Sequence, residues 1–453
     1  MEILLSAEKL VSIFLSILIL LISLISKRVY RSWLAPGVVF SLAWFVYTFI
    51  PLLGAWYIPI TPWGVSFIFL YCASFSLGGL FFVKSNAYAQ ILPTPSSTSD
   101  FRQNHCLSTF AMGFSLIVLI CMLINLYIQG FTLESLIFSP LSSGLRYLLL
   151  RYDGLLIKNV FLSIDTTLNY VAICLAGATF SHQRNRLRSA LLVATCFAPS
   201  ILHLILYADK GTLFLGIAVF YGAILTSRIA RSEHALITLK TLKVLAPCAL
   251  LSIFLILIAF LSRTHGTPQP EKISHIIFYF NSYFFGHLYA FSDWINHYVL
   301  GISATTFSLP KDYTSGHYTF LVLMQQIETE STVPDGFYSE YYRYSNLLQS
   351  NIYTMFRGVI QDFGISGSLL FAFGTGLVFH YCYLKLKNMR QVLINSAIYT
   401  FFFCYTYNSF LISMFSWSNP LLAIIVAYCF LEVFTRGWKY KKSYPNKFRT
   451  DRC

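Results

Sequence analysis

The stretch LLSAEKLVSIFLSILILLISLISKRVYR (4–31) decides what kind of chain this is. Between Lys9 and Lys27 it carries no charge, and residues 4–26 are long enough as a helix to cross ~30 Å of hydrocarbon. Lipid offers no partner to an unpaired N–H or C=O, so such a run crosses as helix. The leader MEILLSAEK sets Glu2 and Glu8 against Lys9, whereas a cleaved signal peptide begins with a basic stretch. Here the basic cluster SKRVYR follows the apolar run. That order predicts an N-terminus outside the membrane and a first link in the cytoplasm.

Similar runs recur along the rest of the chain, at about 34–56, 63–83, 107–129, 155–180, 189–207, 211–227, 244–262, 362–384, 391–413 and 419–435. The expectation is an all-α polytopic membrane protein with about 11 transmembrane helices. Of the 453 residues 56% are hydrophobic and 11% charged, with mean hydropathy +0.64. A soluble domain of ordinary composition carries about a quarter charged residues.

A net charge of +14 could point to nucleic acid, but its distribution does not. Alternate links (27–33, 84–106, 181–188, 228–243, 385–390 and 436–453) hold 22 of the 32 Lys and Arg. This is the bias of cytoplasmic links, and it places the C-terminus inside. Most of the ten cysteines fall within predicted spans, and no CxxC or zinc-ligand spacing occurs. No metal or cofactor is expected.

One link breaks the pattern of short connections. Three regions follow: 1–262 with spans one to eight, a long outer loop 263–361, and 362–453 with spans nine to eleven and a basic tail. The loop carries five cations against seven acids and no cysteine. Within it, HIIFYFNSYFFGHLYAF (275–291) packs eight aromatics between Phe278 and Phe291 and reads as an interfacial or re-entrant helix. HYTFLVLMQQIE (317–328) is expected to lie against it, with TESTVPDGFYSEYYRYS (329–345) returning to the surface. The outer link 130–154 is expected to lie on the membrane as a short helix.

Cations on the outer face are the first candidates for chemistry: Lys210 in an ADKG turn, Arg263 at the exit of span eight, Arg343, and Arg357 just before span nine, with Arg146 and Arg151 beyond them. A cation beside hydrocarbon is costly unless it snorkels or is paired, and several from different helices could converge on an anionic head group. The arginine fork suits a diphosphate; the bland reading is a helix-end anchor in lipid head groups. Asp362 opens span nine, where capping is the ordinary role. His265, His275, His287, His297, His317 and the outward acids include no residue that spacing marks as a base. Tyr279, Tyr283, Tyr289, Trp294, Tyr313, Tyr318, Tyr341, Tyr342 and Tyr344 could stack on sugars or form an interfacial belt.

The segment NIYTMFRGVIQDFGISGSLLFAFGTG (351–376) resembles the C-terminal signature of Wzy-type O-antigen polymerases, the oligosaccharide repeat-unit polymerases. The matching positions are Asn351, Tyr353, Thr354, Asp362, Phe363, Gly364, Gly367, Gly374 and Gly376. SYFFGHLYAFSDWI (282–295) is similar to the family's aromatic-glycine segment, and GHYTF (316–320) to its Gly-x-x-Thr-Phe stretch. Many members carry an Arg near the outer start of span seven; here Asp209-Lys210-Gly211 stands there, supplying charge without the fork.

The resemblance implies a GT-C-like inverting glycosyltransferase of the bacterial inner membrane. It would join undecaprenyl-diphosphate-linked oligosaccharide repeat units at the periplasmic face, without a metal or cofactor, beside membrane lipid and a possible chain-length regulator. On this reading Arg263, Arg357 and Lys210 stabilise the leaving diphosphate and Asp362 orders the loop. Arg343, Asn351, Tyr353, Tyr283 and His317 are then the candidates for substrate contact. An O-antigen ligase and a lipid-linked oligosaccharide flippase remain alternatives. A membrane acyltransferase lacks the early intramembrane histidine motif it should show.

Overall fold

The structure is a computed structural model that describes residues 2–83, 101–181, 183, 185–239, 242–243, 246–247, 250, 254, 269–307, 313–327, 338–389 and 391–443. In chain order the helices are α1 (Glu2–Tyr30), α2 (Pro36–Gly54), α3 (Pro62–Leu77), α4 (Phe101–Ile128), α5 (Leu133–Phe138), α6 (Pro140–Tyr152), α7 (Val160–Phe180), α8 (Arg186–Leu206) and α9 (Lys210–Ala230). Then come α10 (Gln269–Phe284), α11 (Gly286–Leu300), α12 (Leu321–Ile327), the strands β1 (Tyr342–Tyr344) and β2 (Leu348–Ser350), α13 (Thr354–Lys387), α14 (Val392–Asn408) and α15 (Ser418–Ser443). Among the described residues nine helices are long and apolar enough to cross a membrane. The chain is a multi-pass helical membrane protein. Predicted span 244–262 lies almost wholly outside the described residues, and Arg263 lies outside them. The predicted tenth span is realised as α14, 17 residues long.

The chain divides into two compact units, Met1–Ile91 with His234–Leu384 and Cys404–Ser418, and Leu92–Glu233 with Lys385–Phe403 and Asn419–Cys453. In the first unit an aromatic core joins Phe40, Trp44, Tyr71, Phe75, Phe356 and Tyr405, with the Tyr71 and Tyr405 hydroxyls 3.0 Å apart. α3 and α13 cross where side chains are absent. A Cβ on Gly376 would lie 2.1 Å from the Phe75 carbonyl oxygen, and one on Gly78 2.5 Å from the Leu377 nitrogen. Lys9 of α1 is buried and donates to the carbonyls of Ala55 and Ile58, just past the end of α2, where helix dipoles favour a cation.

The aromatic stretch 275–291, predicted as one interfacial helix, is divided at Phe285. α11 is buried on most of its faces in the first unit. Gly286 at its start lets β2 approach, since a Cβ there would lie 2.6 Å from Ser350 Cβ. β1 and β2 pair antiparallel, Tyr342 opposite Ser350, so the segment before α13 contains a hairpin that an all-helical reading did not include.

α13 runs for 34 residues, which as unbroken helix would be ~51 Å, well beyond ~30 Å of hydrocarbon. It is broken at Gly364, whose φ of 67° and ψ of 179° belong to glycine alone. A short head, 354–363, therefore precedes the spanning part.

In the second unit α7, α8 and α9 start on side-chain caps from Asn159, Asn185 and Asp209. α7 and α9 cross at Gly177, where a Cβ would lie 2.4 Å from the Phe220 carbonyl oxygen. The link 130–154, predicted to lie outside, contains α5 and α6, which expose Leu133, Ile137, Phe138, Leu149 and Tyr152.

Candidate functional site

The head of α13 carries Arg357 into the interior of the first unit, where the residue is only 2% exposed. Its guanidinium lies 3.7 Å from the centre of the Tyr338 ring and 4.4 Å from that of Tyr353, with Phe307 and Trp294 at 5.4 and 5.5 Å. A guanidinium is weakly hydrated and stacks on ring faces, so this cage favours arginine over lysine. One fork nitrogen, Nη2, donates to Glu340 Oε1 at 3.1 Å. Among the described residues, Nε and Nη1 of Arg357 and Nε1 of Trp294 are buried and make no hydrogen bond. Buried donors without partners are costly and uncommon in native proteins. They are what a binding site for an oxyanion presents.

The cage is built from distant parts of the loop. Asp293 of α11 accepts from the amides of Ala304 and Thr305, fixing the turn that returns Phe307 against Tyr353. Asn351 donates to the Tyr338 carbonyl, the Tyr353 hydroxyl donates to the Glu340 carbonyl, and the Tyr338 hydroxyl donates to Gln361 Oε1. Burial pushes the Tyr338 and Tyr353 hydroxyls up, against the pull of the Arg357 charge, so both remain protonated donors.

Asp362 is buried one turn past this cage. Its carboxylate accepts from the Thr314 hydroxyl and from the amides of Tyr318 and Thr319 at 3.2 and 2.6 Å. It thus fastens loop 314–319 to the head of α13 just before the break at Gly364. His317 sits in that loop with Nδ1 against the Thr314 carbonyl.

Of the residues singled out from sequence, Arg357, Tyr353, Asn351 and Asp362 share this neighbourhood. Arg343 does not: it is exposed on β1 and donates to Gln349 Oε1 across the hairpin at 2.7 Å. Tyr283 is 40% exposed on α10. Lys210 is half-buried at the first turn of α9 in the second unit, where Asp209 accepts from the Gly211 amide and the Thr212 hydroxyl. Sequence reasoning missed Tyr338 and Phe307, and sent 329–345 to the surface. Tyr338 instead packs on the guanidinium and stacks on Tyr318.

A second polar cluster was also missed, because it lies in spans read as almost free of charge. Asp165 of α7 and His203 of α8 are both 0% exposed, with His203 Nε2 3.2 Å from Asp165 Oδ1. The signal was in the sequence: an acid and a histidine each within an apolar run. Comparison with family models, with curated proteins and with solved structures finds no match for this chain.

Proposed function

We propose that this protein is an O-antigen-type repeat-unit polymerase. The buried, aromatic-caged Arg357, with two donor nitrogens unpartnered among the described residues, is the observation that supports the reading. In the reaction a hydroxyl of a new repeat unit attacks the anomeric carbon of the growing glycan on undecaprenyl diphosphate. The C–O bond to the diphosphate breaks with inversion and the lipid diphosphate leaves. Charge builds on the departing oxygens, and a preorganised fork in a dry cage stabilises it best in the transition state. Nε and Nη1 are the pair of donors left for such an oxyanion, while Glu340 fixes the plane of the fork through Nη2.

Around it, Trp294 offers an unpartnered Nε1 donor, and the Tyr338 and Tyr353 rings wall the guanidinium. Asp362 acts by holding loop 314–319 in place rather than by moving a proton. Arg263 remains a proposed partner in charge stabilisation. The setting is a bacterial inner membrane with the long loop on the periplasmic side.

A chromosomal deletion in the native host, with lipopolysaccharide resolved on a silver-stained gel, tests this. The expected result is core carrying one repeat unit, the ladder returning on complementation with wild type and not with Arg357→Ala. Bare core would point instead to the ligase or flippase, and an unchanged ladder would exclude the pathway.

A further inference from the structure

The second unit contains a buried polar cluster that the proposed glycosyl transfer does not use. It bridges α7 and α8 by two rungs one helical turn apart. Asp165 of α7 faces His203 of α8, Oδ1 to Nε2 at 3.2 Å, and Asn169 Nδ2 donates to Ser200 Oγ at 2.9 Å. All four residues are 0% exposed. Asp165 Oδ2 accepts from the Tyr207 hydroxyl at 3.0 Å, and the Tyr207 oxygen accepts from Asn125 Nδ2 at 2.8 Å. Asn159, half-exposed, donates from Nδ2 to Asn125 Oδ1 at 2.7 Å, so polar groups connect the carboxylate with the surface.

Two oxygens of this cluster lack a donor. Among the described residues Asp165 Oδ1 and Asn169 Oδ1 are buried and accept no hydrogen bond. They stand at i and i+4 on α7 and therefore share one face. The carboxylate also lacks a counter-charge: among the described residues no Lys or Arg pairs with it, and its contact with His203 falls short of hydrogen-bond geometry. An imidazolium in that role would donate from both nitrogens, and neither nitrogen of His203 makes a hydrogen bond among the described residues. A bare carboxylate inside a span is expensive. We propose that Asp165 Oδ1 and Asn169 Oδ1 hold a small monovalent cation of the sodium class, with Ser200 and His203 closing the site on the α8 side.

The donor set selects the ion. Carboxylate and amide oxygens suit hard cations. One carboxylate balances one positive charge, so a divalent ion would leave excess charge within the span. No three His, Cys, Asp or Glu side chains come together among the described residues, as a tetrahedral zinc site would need. A bound ion ties α7 to α8 beneath the turn into α9, since the His203 carbonyl accepts from the amides of both Tyr207 and Asp209. α6 covers the cluster, with Tyr147 stacked on Tyr207 at 4.4 Å. The site stands whether or not the chain polymerises glycans.

The test is the thermal unfolding midpoint of the purified full-length protein in lipid nanodiscs. It is read from about 1 to 100 mM sodium chloride, with choline chloride keeping the ionic strength constant. The wild-type midpoint is expected to rise by about 2–5 °C across that range, because an ion that binds only the folded state stabilises it. In Asn169→Ala, which keeps the carboxylate, the same rise should need about tenfold more sodium. In Asp165→Asn, which keeps the shape and removes the charge, it should vanish. A wild-type midpoint that does not respond to sodium overturns the proposal whether or not the variants fold. A rise that persists unchanged in Asn169→Ala, or in Asp165→Asn, also overturns it, since the ion would then bind elsewhere.

Discussion

Arg357 has a packing role and a proposed catalytic one, and substitution can separate them. Replacing it with Met leaves Glu340, 19% exposed, facing aromatic rings without its counter-charge, and this should cost about 3 kcal/mol. Adding Glu340→Gln removes the stranded charge and should restore most of that stability, read as the thermal unfolding midpoint in detergent. Neither protein should restore a ladder, because the donors proposed for the diphosphate are gone. Recovery of the ladder with recovery of stability would reduce Arg357 to a packing residue. His287 allows a prediction of another kind. Its Nε2 donates to the Tyr47 carbonyl, and burial pushes the imidazole down to about 4. Because the folded value lies below the unfolded value of about 6.5, the folded state binds fewer protons than the unfolded one between them. Stability should therefore be intact above about pH 6.5 and fall as the pH drops toward 4, with a shallower slope in His287→Gln.

At the level of elements, the break in α13 explains why Asp362, Phe363 and Gly364 go together. The aspartate fastens the loop and the glycine turns the chain from the head into the spanning helix. In Gly364→Ala a Cβ would meet the Tyr313 hydroxyl at 2.8 Å and would occupy a backbone region closed to alanine. The expected loss is about 1–3 kcal/mol, with faster proteolysis of the loop before α13. Tyr313→Ala should not rescue it, since the backbone strain remains; full rescue would show that only the ring contact matters. Asp362 and Gly364 could be singled out in the chain, as a carboxylate and a glycine at the start of an apolar run, but the loop that Asp362 holds, 43 to 48 residues away, and the break at Gly364 could not. Nor could the cage. Tyr338 and Phe307 reach Arg357 through tertiary contacts that leave no periodicity. The division of 275–291 was hidden for a similar reason, as the meaning of Gly286 lies in its distance from Ser350.

For the whole molecule, composition and the spacing of apolar runs carried the multi-pass reading, because hydrocarbon imposes length and pairing on every span. Pairing between helices left no such mark, so Asp165 and His203 went unread in runs that look like lipid-facing helix. The cation bias in the sequence predicts the loop outside and the tail inside. In a cysteine-free background, Tyr341→Cys, exposed beside the hairpin, should react with an impermeant maleimide in intact spheroplasts. Arg436→Cys should react only after permeabilisation, and the reverse pattern would invert the assigned topology.

The central claim is that the caged Arg357 serves polymerisation of a lipid-diphosphate-linked glycan. The most direct measurement incubates purified protein with its repeat unit on undecaprenyl diphosphate and resolves the glycans by length. The account predicts multiples of the unit with wild type and only the single unit with Arg357→Lys, which keeps the charge but not the fork. Equal extension by both proteins, or none by folded wild type, would contradict it.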